Sequence, residues 1–299
     1  MTPMVPMVRT ALDLPSRPEK PRARGITMVI DNGLPTGAFR DHVESTAGLI
    51  DFVKFGWGTA AVSPDIATKI ATLRDHDIGF FFGGTLFEKH LSQDRFDDYR
   101  TFCHAHGCRY VEVSNGTVAL SNEEKASYVT KLAAEFTVLS EVGLKDTARS
   151  ERMGTGDWVQ CILQDLDAGA HLVITEARES GRSGICHADG KLRADVLDGI
   201  LDSGVGTDRL LFEAPTKDLQ ASFIRRIGPN VNLGNVAPGD VIGVETLRLG
   251  LRSDTFAAPV PSIGRAVKPA TEPPAGPRRV PSRGARTMGA RHLAAAPDF

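Results

Sequence analysis

Six charged side chains stand at or just inside the ends of short apolar runs in this sequence. In chain order they are Asp31, Lys54, Glu112, Glu141, Glu176 and Glu213. Carboxylates that folding brings into one small region repel one another unless a cation neutralises them, and hard oxygen donors favour Mg²⁺. The pattern therefore predicts a Mg²⁺ site, the alternative being buried carboxylates that arginine, lysine and backbone amides satisfy. The candidate metal ligands are Asp31, Glu112, Glu176 and Glu213, and Glu141 is a candidate catalytic residue.

Two lysines accompany these carboxylates. Lys54 ends the second apolar run, and Lys145 follows the fifth, four residues after Glu141. A lysine near a metal and a reacting carbon can act as a general acid, as an electrostatic anchor for a phosphate or as a Schiff base nucleophile. Spacing does not choose among these roles or between them and a structural salt bridge. Both lysines are therefore candidate catalytic residues.

Glycines and polar residues collect directly after several of the apolar runs. Glycine lets backbone N–H groups approach an anion closely, and arginine forks suit carboxylate, phosphate or sulfite oxygens. The loops therefore predict an anionic substrate, although tight turns also need glycine for their own geometry. The candidate substrate-binding residues are Gly83, Gly84, Ser114, Asn115, Arg178, Arg182, Asn232, Gly234 and Asn235.

The apolar runs are predicted to be strands, because each is too short for a buried helix and is rich in Val, Ile, Leu and Phe. They cover residues 26–31, 52–54, 78–84, 110–115, 138–141, 172–176, 210–213 and 231–235. A stretch of helical periodicity follows each run. Eight such β-α units predict one α/β domain, a closed (β/α)8 TIM barrel, whose C-terminal strand ends would bring the charged residues together.

The predicted helices cover residues 39–50, 64–76, 96–106, 122–135, 157–168, 193–203, 216–227 and 239–250. Ser121 followed by Glu124 predicts a capping box at the start of the fourth of these helices. Ser63 followed by Pro64 predicts a cap and a first-turn proline for the second.

The segment 103–108 concentrates cysteine and histidine, so a zinc site has to be weighed there. It lies between a predicted helix and the following strand, on the side of a barrel away from the expected active face. We interpret it as a helix end with Gly107 as its cap.

Composition narrows the class of protein further. The 299 residues include 35 basic and 37 acidic side chains, a net charge of −2, which gives no reason to expect a nucleic-acid partner. No long apolar run suggests a membrane span, and Pro3 and Pro6 interrupt the N-terminal segment, so we expect a cytoplasmic protein with no membrane partner. Four cysteines without CxxC spacing predict reduced, structural thiols.

The composition along the sequence predicts three segments. Residues 1–19 carry four prolines and predict an irregular arm, and residues 20–256 form the barrel. Residues 257–299 are rich in Pro, Ala, Gly and Arg and poor in large apolar side chains, which predicts a disordered basic tail.

Several segments together resemble the phosphosulfolactate synthase family, barrel enzymes that join sulfite to phosphoenolpyruvate. The matching stretches are residues 20–22 with Gly25, Thr27, Asp31 and Gly33, then 54–59, 83–88, 112–117, Glu176 with 179–181, 213–214, 230–235 and 247–252. The resemblance spans residues 20–255 and is more specific than any single glycine loop.

The resemblance implies a Mg²⁺-dependent lyase that forms a C–S bond and makes (R)-2-phospho-3-sulfolactate. It makes Lys145 the candidate acid that delivers a proton to C2 after sulfite has added, and it makes Arg178, Arg182 and Lys54 candidates for holding the two anions. Barrels of this kind commonly associate, so a homo-oligomer is expected.

Two other functions remain open from the sequence. One is an enzyme of the same barrel that adds another nucleophile or acts on another phosphorylated carboxylate, including an aldolase with Lys54 as Schiff base. The other is a non-catalytic barrel, because the family has relatives linked to heat-stress tolerance in plants.

Overall fold

Eight strands alternate with helices over residues 11–257, the part of the chain that the computed structural model describes. The strands are β1 (Thr27–Asp31), β2 (Phe52–Phe55), β3 (Gly79–Phe82), β4 (Tyr110–Val113), β5 (Thr137–Val142), β6 (Leu172–Thr175), β7 (Leu210–Glu213) and β8 (Leu233–Val236). Their ladders are parallel and run in the order β3-β2-β1-β8-β7-β6-β5-β4. The two ends of this order, β3 and β4, also contact each other. The predicted (β/α)8 barrel is confirmed.

Ten α-helices surround the sheet within the described residues. They are α1 (Thr36–Thr46), α2 (Ile66–Asp75), α3 (Gly84–Leu91), α4 (Phe96–Ala105), α5 (Asn122–Ala133), α6 (Thr147–Arg152), α7 (Thr155–Asp167), α8 (Ala194–Asp202), α9 (Lys217–Ile227) and α10 (Val241–Arg248). The eight predicted helices are present with shifted ends. The sequence did not predict α3 and α6, which lie in the loops after β3 and β5, because both are short and α3 begins among glycines.

The predicted helix ends have mixed outcomes. Ser121 and Glu124 form the capping box at the start of α5. Gly107 has a φ of +62° just beyond α4, and the N–H of Cys108 donates to the carbonyl of Cys103 at 3.0 Å, so segment 103–108 does end a helix. The cap predicted at Ser63 is wrong: its N–H still belongs to the preceding turn, donating to Thr59 O at 2.9 Å, and α2 starts later.

Strand side chains alternate between the barrel interior and the helix layer, because successive residues of a strand point to opposite faces. The lower part of the interior is a purely apolar cluster of Ile26, Met28, Phe81, Leu139, Leu172, Ile174 and Leu211. Two residues farther along three of these strands, the same face carries a glutamate. Glu141 follows Leu139, Glu176 follows Ile174 and Glu213 follows Leu211. Lys54 and Glu112 take the equivalent positions after Phe52 and Tyr110, which pack on the cluster.

The N-terminal end of the barrel is closed by polar contacts from the arm and from α10. Arg17 pairs with Glu245 at 2.9 Å, and Arg22 pairs with Asp51 at 2.9 Å. Arg248 is buried and donates to the carbonyls of Pro229, Val231 and Ile26 at 2.6–3.0 Å. Residues 11–24, which include the described part of the predicted arm (11–19), contain neither helix nor strand, and these contacts hold them on the barrel.

The remaining predictions about the chain concern its tail, its thiols and membranes. Apart from Ala257, the predicted basic tail lies outside the described residues. Cys103, Cys108, Cys161 and Cys186 are free and buried. None of the helices within residues 11–257 combines the length and apolar composition that crossing a bilayer requires.

Candidate active site

Four buried glutamates and two lysines form one ionic cluster at the C-terminal end of the barrel. Glu112, Glu141 and Glu213 come from β4, β5 and β7, and Glu176 directly follows β6. Each glutamate is at most 2% exposed. Strand alternation turns all four toward the barrel axis, so the predicted convergence of these carboxylates occurs.

Lys54 lies at the centre of this cluster. Its Nζ is 2.9 Å from Glu112 Oε2, 3.0 Å from Glu213 Oε1 and 3.2 Å from Glu141 Oε2. The side chain comes from β2, across the barrel from β5, so it bridges the interior of the ring. Lys54 therefore screens three carboxylates from one another.

Lys145 reaches the cluster from the loop between β5 and α6. Its Nζ lies 2.8 Å from Glu141 Oε1 and 3.3 Å from Glu176 Oε2, and a quarter of its side chain remains exposed. Each carboxylate oxygen of Glu141 thus accepts a hydrogen bond from one lysine. Lys145 is the more accessible of the two ammonium groups.

Backbone and helix-layer contacts hold the carboxylates in place. The N–H of Gly84, the first residue of α3, donates to Glu112 Oε1 at 2.6 Å. The N–H of Ala177 donates to Glu213 Oε2 at 2.9 Å. Behind β5, Lys125 donates to the carbonyl oxygen of Glu141 at 2.9 Å.

The pKa values of the four carboxyl groups shift in different directions: three are raised and one is lowered. Burial raises the pKa of Glu112 to about 7, although Lys54 opposes the shift. Burial and the neighbouring carboxylates also raise the pKa of Glu176 well above its usual range, and burial raises that of Glu213. Burial acts in the same direction on Glu141, but Lys145 and Lys54 outweigh it and hold its pKa below the usual range. Glu141 is the carboxyl group whose charged form the two lysines favour.

Both lysines keep their protons at neutral pH. Burial lowers the pKa of Lys54, but Glu112, Glu213 and Glu141 outweigh this and raise it well above its usual value. Burial lowers the pKa of Lys145 in the same way, and Glu141 and Glu176 reverse the effect. The site therefore presents two fixed cations.

The donor set fits a hard divalent cation. Glu141, Glu176 and Glu213 each offer an oxygen, and these three oxygens lie within 4.8 Å of one another. Oε2 of Glu112 and Oε2 of Glu176 are buried and receive no hydrogen bond in suitable geometry, although a lysine lies near each. Four carboxylates and two ammonium groups add to a formal charge of −2 when all are ionised, which one dication would neutralise.

A cavity of about 350 Å³ opens above the cluster. Ten of the residues predicted for the site line it: Lys54, Gly83, Gly84, Glu112, Glu141, Lys145, Glu176, Arg178, Glu213 and Asn235. A larger cavity of about 650 Å³ lies at the opposite end of the barrel, beside the arm, Phe52 and Tyr110. The first cavity is the candidate active site, because only its lining includes the glutamate–lysine cluster.

Asp31 does not join the other predicted metal ligands. Ile30 faces the cavity, so the next side chain on β1 points outward to the helix layer. There Asp31 pairs with Lys69 of α2 at 2.6 Å and accepts hydrogen bonds from the N–H groups of Gly33 and Leu34. Its position is structural: it fixes the loop between β1 and α1.

Five predicted substrate-binding residues also lie outside the cavity lining. Asn232 is at the N-terminal end of β8, where it accepts from the N–H of Ile26 at 3.0 Å. A Cβ added at Gly234 would meet Leu211, so that glycine serves packing within the barrel. Ser114 donates to Glu88 of α3, Asn115 donates to Leu120 O within the loop after β4, and Arg182 is exposed outside the lining.

Other lining residues were not predicted from the sequence. They include Asn32, Trp57, Thr85, Thr117, Glu179 and Pro215. Trp57 has a φ of +49° and Asn235 a φ of +52°, and such left-handed conformations in residues other than glycine tend to collect at functional sites. Asparagine adopts this conformation more readily than most residues, whereas nothing in the sequence signals it at Trp57.

The sequence of this chain is similar to those of several known proteins. A family model described as (2R)-phospho-3-sulfolactate synthase matches residues 15–254. Phosphosulfolactate synthase of Bacillus subtilis (strain 168) is 51% identical over 246 residues, which is 82% of this chain and 98% of that protein. Phosphosulfolactate synthase of Methanothermobacter thermautotrophicus is 41% identical over 246 residues, covering 81% and 95%. Protein HEAT-STRESS-ASSOCIATED 32 of Arabidopsis thaliana is 24% identical over 260 residues, covering 78% and 88%.

The raised pKa of Glu112 makes a prediction about stability and pH. Its folded pKa of about 7 lies above the ordinary unfolded value of about 4.3. The contribution of this proton to stability is therefore complete below the unfolded pKa and is lost as pH rises through about 7. In the parent, this group lowers the free energy of unfolding by on the order of 2 kcal/mol between pH 5 and pH 8. We expect the decrease in Glu112→Gln to be smaller by that amount.

The measurement is denaturant unfolding at pH 5, 6, 7 and 8 with a chelator present. Glu123→Gln, which changes an exposed glutamate of α5, serves as the control and should leave the slope unchanged. A Glu112→Gln protein with the slope of the parent would contradict the assignment of the proton to Glu112.

Proposed function

The chain belongs to the (2R)-phospho-3-sulfolactate synthase family, and from this premise we propose that it adds sulfite to phosphoenolpyruvate to give (R)-2-phospho-3-sulfolactate. The observation that carries the proposal is the cavity at the barrel mouth, where two protonated lysines lie among four buried glutamates. Its volume of about 350 Å³ accommodates small anions.

The reaction has to bring two anions together and then protonate a carbon. The sulfur lone pair of sulfite forms the new C–S bond with the methylene carbon, and the π electrons of the double bond move toward C2 and the carboxylate. C2 then accepts a proton, while the phosphate ester stays intact. The protein must therefore offset repulsion between the reactants and stabilise charge that accumulates at the carboxylate.

We assign the protonation of C2 to Lys145. Its Nζ is the accessible ammonium group of the cluster, and the carboxylates of Glu141 and Glu176 keep it protonated before substrate binds. Glu141, which accepts from both lysines, would hold that ammonium group in position. Lys54 is too deeply enclosed to move and acts as a fixed positive charge.

Arg178 and Asn235 are the proposed substrate anchors on the cavity wall. Arg178 is exposed at the rim and has donors free to bind an anion, because its one hydrogen bond within the described chain is a 3.5 Å contact to Lys145 O. Asn235 is 8% exposed, and its side-chain oxygen has no hydrogen-bond partner among the described residues. A buried carboxamide without a partner is costly unless a ligand satisfies it.

We further propose that Mg²⁺ binds here and that Glu141, Glu176 and Glu213 hold it, with Glu112 beside them. Support comes from the three convergent oxygens and from Oε2 of Glu112 and Oε2 of Glu176, which are buried and receive no hydrogen bond in suitable geometry although a lysine lies near each. When bound, a divalent cation supplies positive charge for the substrate carboxylate as negative charge accumulates there.

The Schiff base alternative is disfavoured by the surroundings of Lys54. Attack on a carbonyl needs a neutral amine. Three carboxylates lie within 3.2 Å of Lys54 Nζ and raise its pKa well above the usual value, so the amine is protonated. Borohydride reduction with substrate should therefore leave no covalent adduct.

A cytoplasmic location and a homo-oligomeric state complete the proposal. Free, buried thiols support a reducing compartment. Light scattering coupled to gel filtration would give the oligomeric state directly.

Incubation of the purified protein with phosphoenolpyruvate, sulfite and Mg²⁺ should give a phosphorylated sulfonate that mass spectrometry detects. Lys145→Ala should lower turnover at least tenfold with an unchanged circular dichroism spectrum, because C2 loses its proton donor. Lys131→Ala, at an exposed lysine of α5, is the control and should keep full activity. Absence of product from the parent protein would reject the substrates, and full turnover by Lys145→Ala would remove this lysine from the mechanism.

Measurements of metal affinity test which of the predicted ligands bind the metal. We expect Glu176→Gln to weaken Mg²⁺ or Mn²⁺ binding at least tenfold, because it removes one of three convergent oxygens. Asp31→Asn should leave metal affinity unchanged, because Asp31 pairs with Lys69 in the helix layer. Isothermal titration calorimetry on chelator-treated protein measures both variants without reference to activity. The reverse order of effects would return Asp31 to the ligand set.

The two arginines of the loop after β6 form a matched pair. Arg178 lines the cavity, whereas Arg182 is exposed outside its lining. Arg178→Ala should raise KM at least tenfold for one of the two anionic substrates, because an anion loses a charged partner there. Arg182→Ala should change KM less than threefold. Equal effects of the two substitutions would show that the loop acts through its net charge alone.

A further inference from the structure

Glu88 is a buried carboxylate that the reaction described above does not use. It lies on α3 and is 1% exposed, and it does not line the cavity. Its neighbours Leu86 and Phe87 belong to the apolar core between the sheet and the helices. Burying a charge in such a layer is costly unless the charge is fully hydrogen-bonded.

All the hydrogen bonds that Glu88 receives come from one loop. Ser114 Oγ donates to Oε1, and the N–H groups of Thr117 and Val118 donate to Oε2 at 2.8 Å and 3.0 Å. These donors lie between β4 and α5. Glu88 therefore ties α3 to the loop that follows β4.

Both tied elements are walls of the candidate active site. Gly84 at the start of α3 lines the cavity and donates to Glu112, and Thr117 of the loop lines the cavity as well. Gly116 is packed on the stem of Lys145: a Cβ added there would lie 3.3 Å from Lys145 Cγ and 3.5 Å from its Cδ. The backbone of the loop thus limits where this lysine can move.

We propose that Glu88 is a positioning residue, which holds the loop of residues 114–118 against Lys145 and so keeps that ammonium group between Glu141 and Glu176. The inference rests on the proposed function, in which Lys145 is the proton donor. Glu88 itself touches no substrate. It acts through the loop backbone, because two of its three hydrogen bonds are to main-chain N–H groups.

The central test compares Glu88→Leu with Glu88→Gln. Leucine leaves the N–H groups of Thr117 and Val118 without their acceptor, so the loop should shift. Glutamine has the same shape; its carbonyl can accept from both N–H groups, and its amide can donate to Ser114 Oγ. We expect kcat to fall at least tenfold in Glu88→Leu, with both KM values changed less than threefold, and to stay within threefold of the parent in Glu88→Gln.

Glu245→Leu is the matched control for loss of a buried carboxylate. Glu245 pairs with Arg17 at the closed end of the barrel. This variant should lower the melting temperature while keeping kcat. A loss of kcat in Glu245→Leu like that in Glu88→Leu would overturn the proposal, because general destabilisation would then explain both.

Amide hydrogen exchange gives a readout that does not need the reaction. Exchange at Thr117 and Val118 should speed up at least tenfold in Glu88→Leu and not in Glu88→Gln. Unchanged exchange in Glu88→Leu, or an equal loss of kcat in both Glu88 variants, would overturn the role of Glu88. If the parent makes no phosphorylated sulfonate, the proposed function fails, while the exchange data still decide whether Glu88 holds the loop.

Gly116→Val keeps the inference testable if Glu88→Leu does not fold. The Cβ of the added side chain would lie 3.3 Å from Lys145 Cγ and 3.4 Å from Gly143 O, so valine would press on Lys145 from the loop side while Glu88 itself is unchanged. We expect kcat to fall at least fivefold with the circular dichroism spectrum retained. Full activity in this variant would overturn the claim that the loop positions Lys145.

Discussion

One ammonium group buried among three carboxylates is the interaction on which the site depends. Lys54 Nζ lies within 3.2 Å of glutamates from β4, β5 and β7, and it is 6% exposed. Removing such charges from water costs several kcal/mol each unless they are paired with good geometry. The partners come from strands far apart in the sequence, so only the closed ring supplies them. The site can therefore form only when the barrel closes.

The interior of the barrel is divided into an apolar lower part and a charged upper part. Leu139, Ile174 and Leu211 fill the lower part, and glutamates occupy the next inward positions of the same strands. The apolar layer closes the site from below, so substrates enter only from the C-terminal end. It also lowers the local dielectric, which strengthens every charge interaction above it. Burial in this environment raises the pKa of Glu112 and by itself would lower that of Lys145, but Glu141 and Glu176 outweigh it and keep Lys145 protonated.

A second ring of polar contacts lies outside the strands at the same end. Asp31 pairs with Lys69, and Asp165 pairs with Lys125 at 2.7 Å while Ser140 donates to it. Each contact fixes a strand end or the loop behind it, as Glu88 does for the loop after β4. Apolar side chains would pack in this layer at lower cost, but they would not bind backbone carbonyls and N–H groups. The mouth is thus shaped by residues that never meet the substrate.

The sequence by itself determined the order of strands and helices, because alternation and helical periodicity are local patterns. It also placed the four glutamates at the C-terminal ends of strands, since each stands at or beside the end of an apolar run. It did not determine that Asp31 points outward, because a shift of one residue along a strand reverses the face. Nor did it reveal Glu88, whose partners lie about 30 residues away, or the unpartnered side chain of Asn235. Those positions follow from contacts between distant segments, and only the tertiary structure decides such contacts.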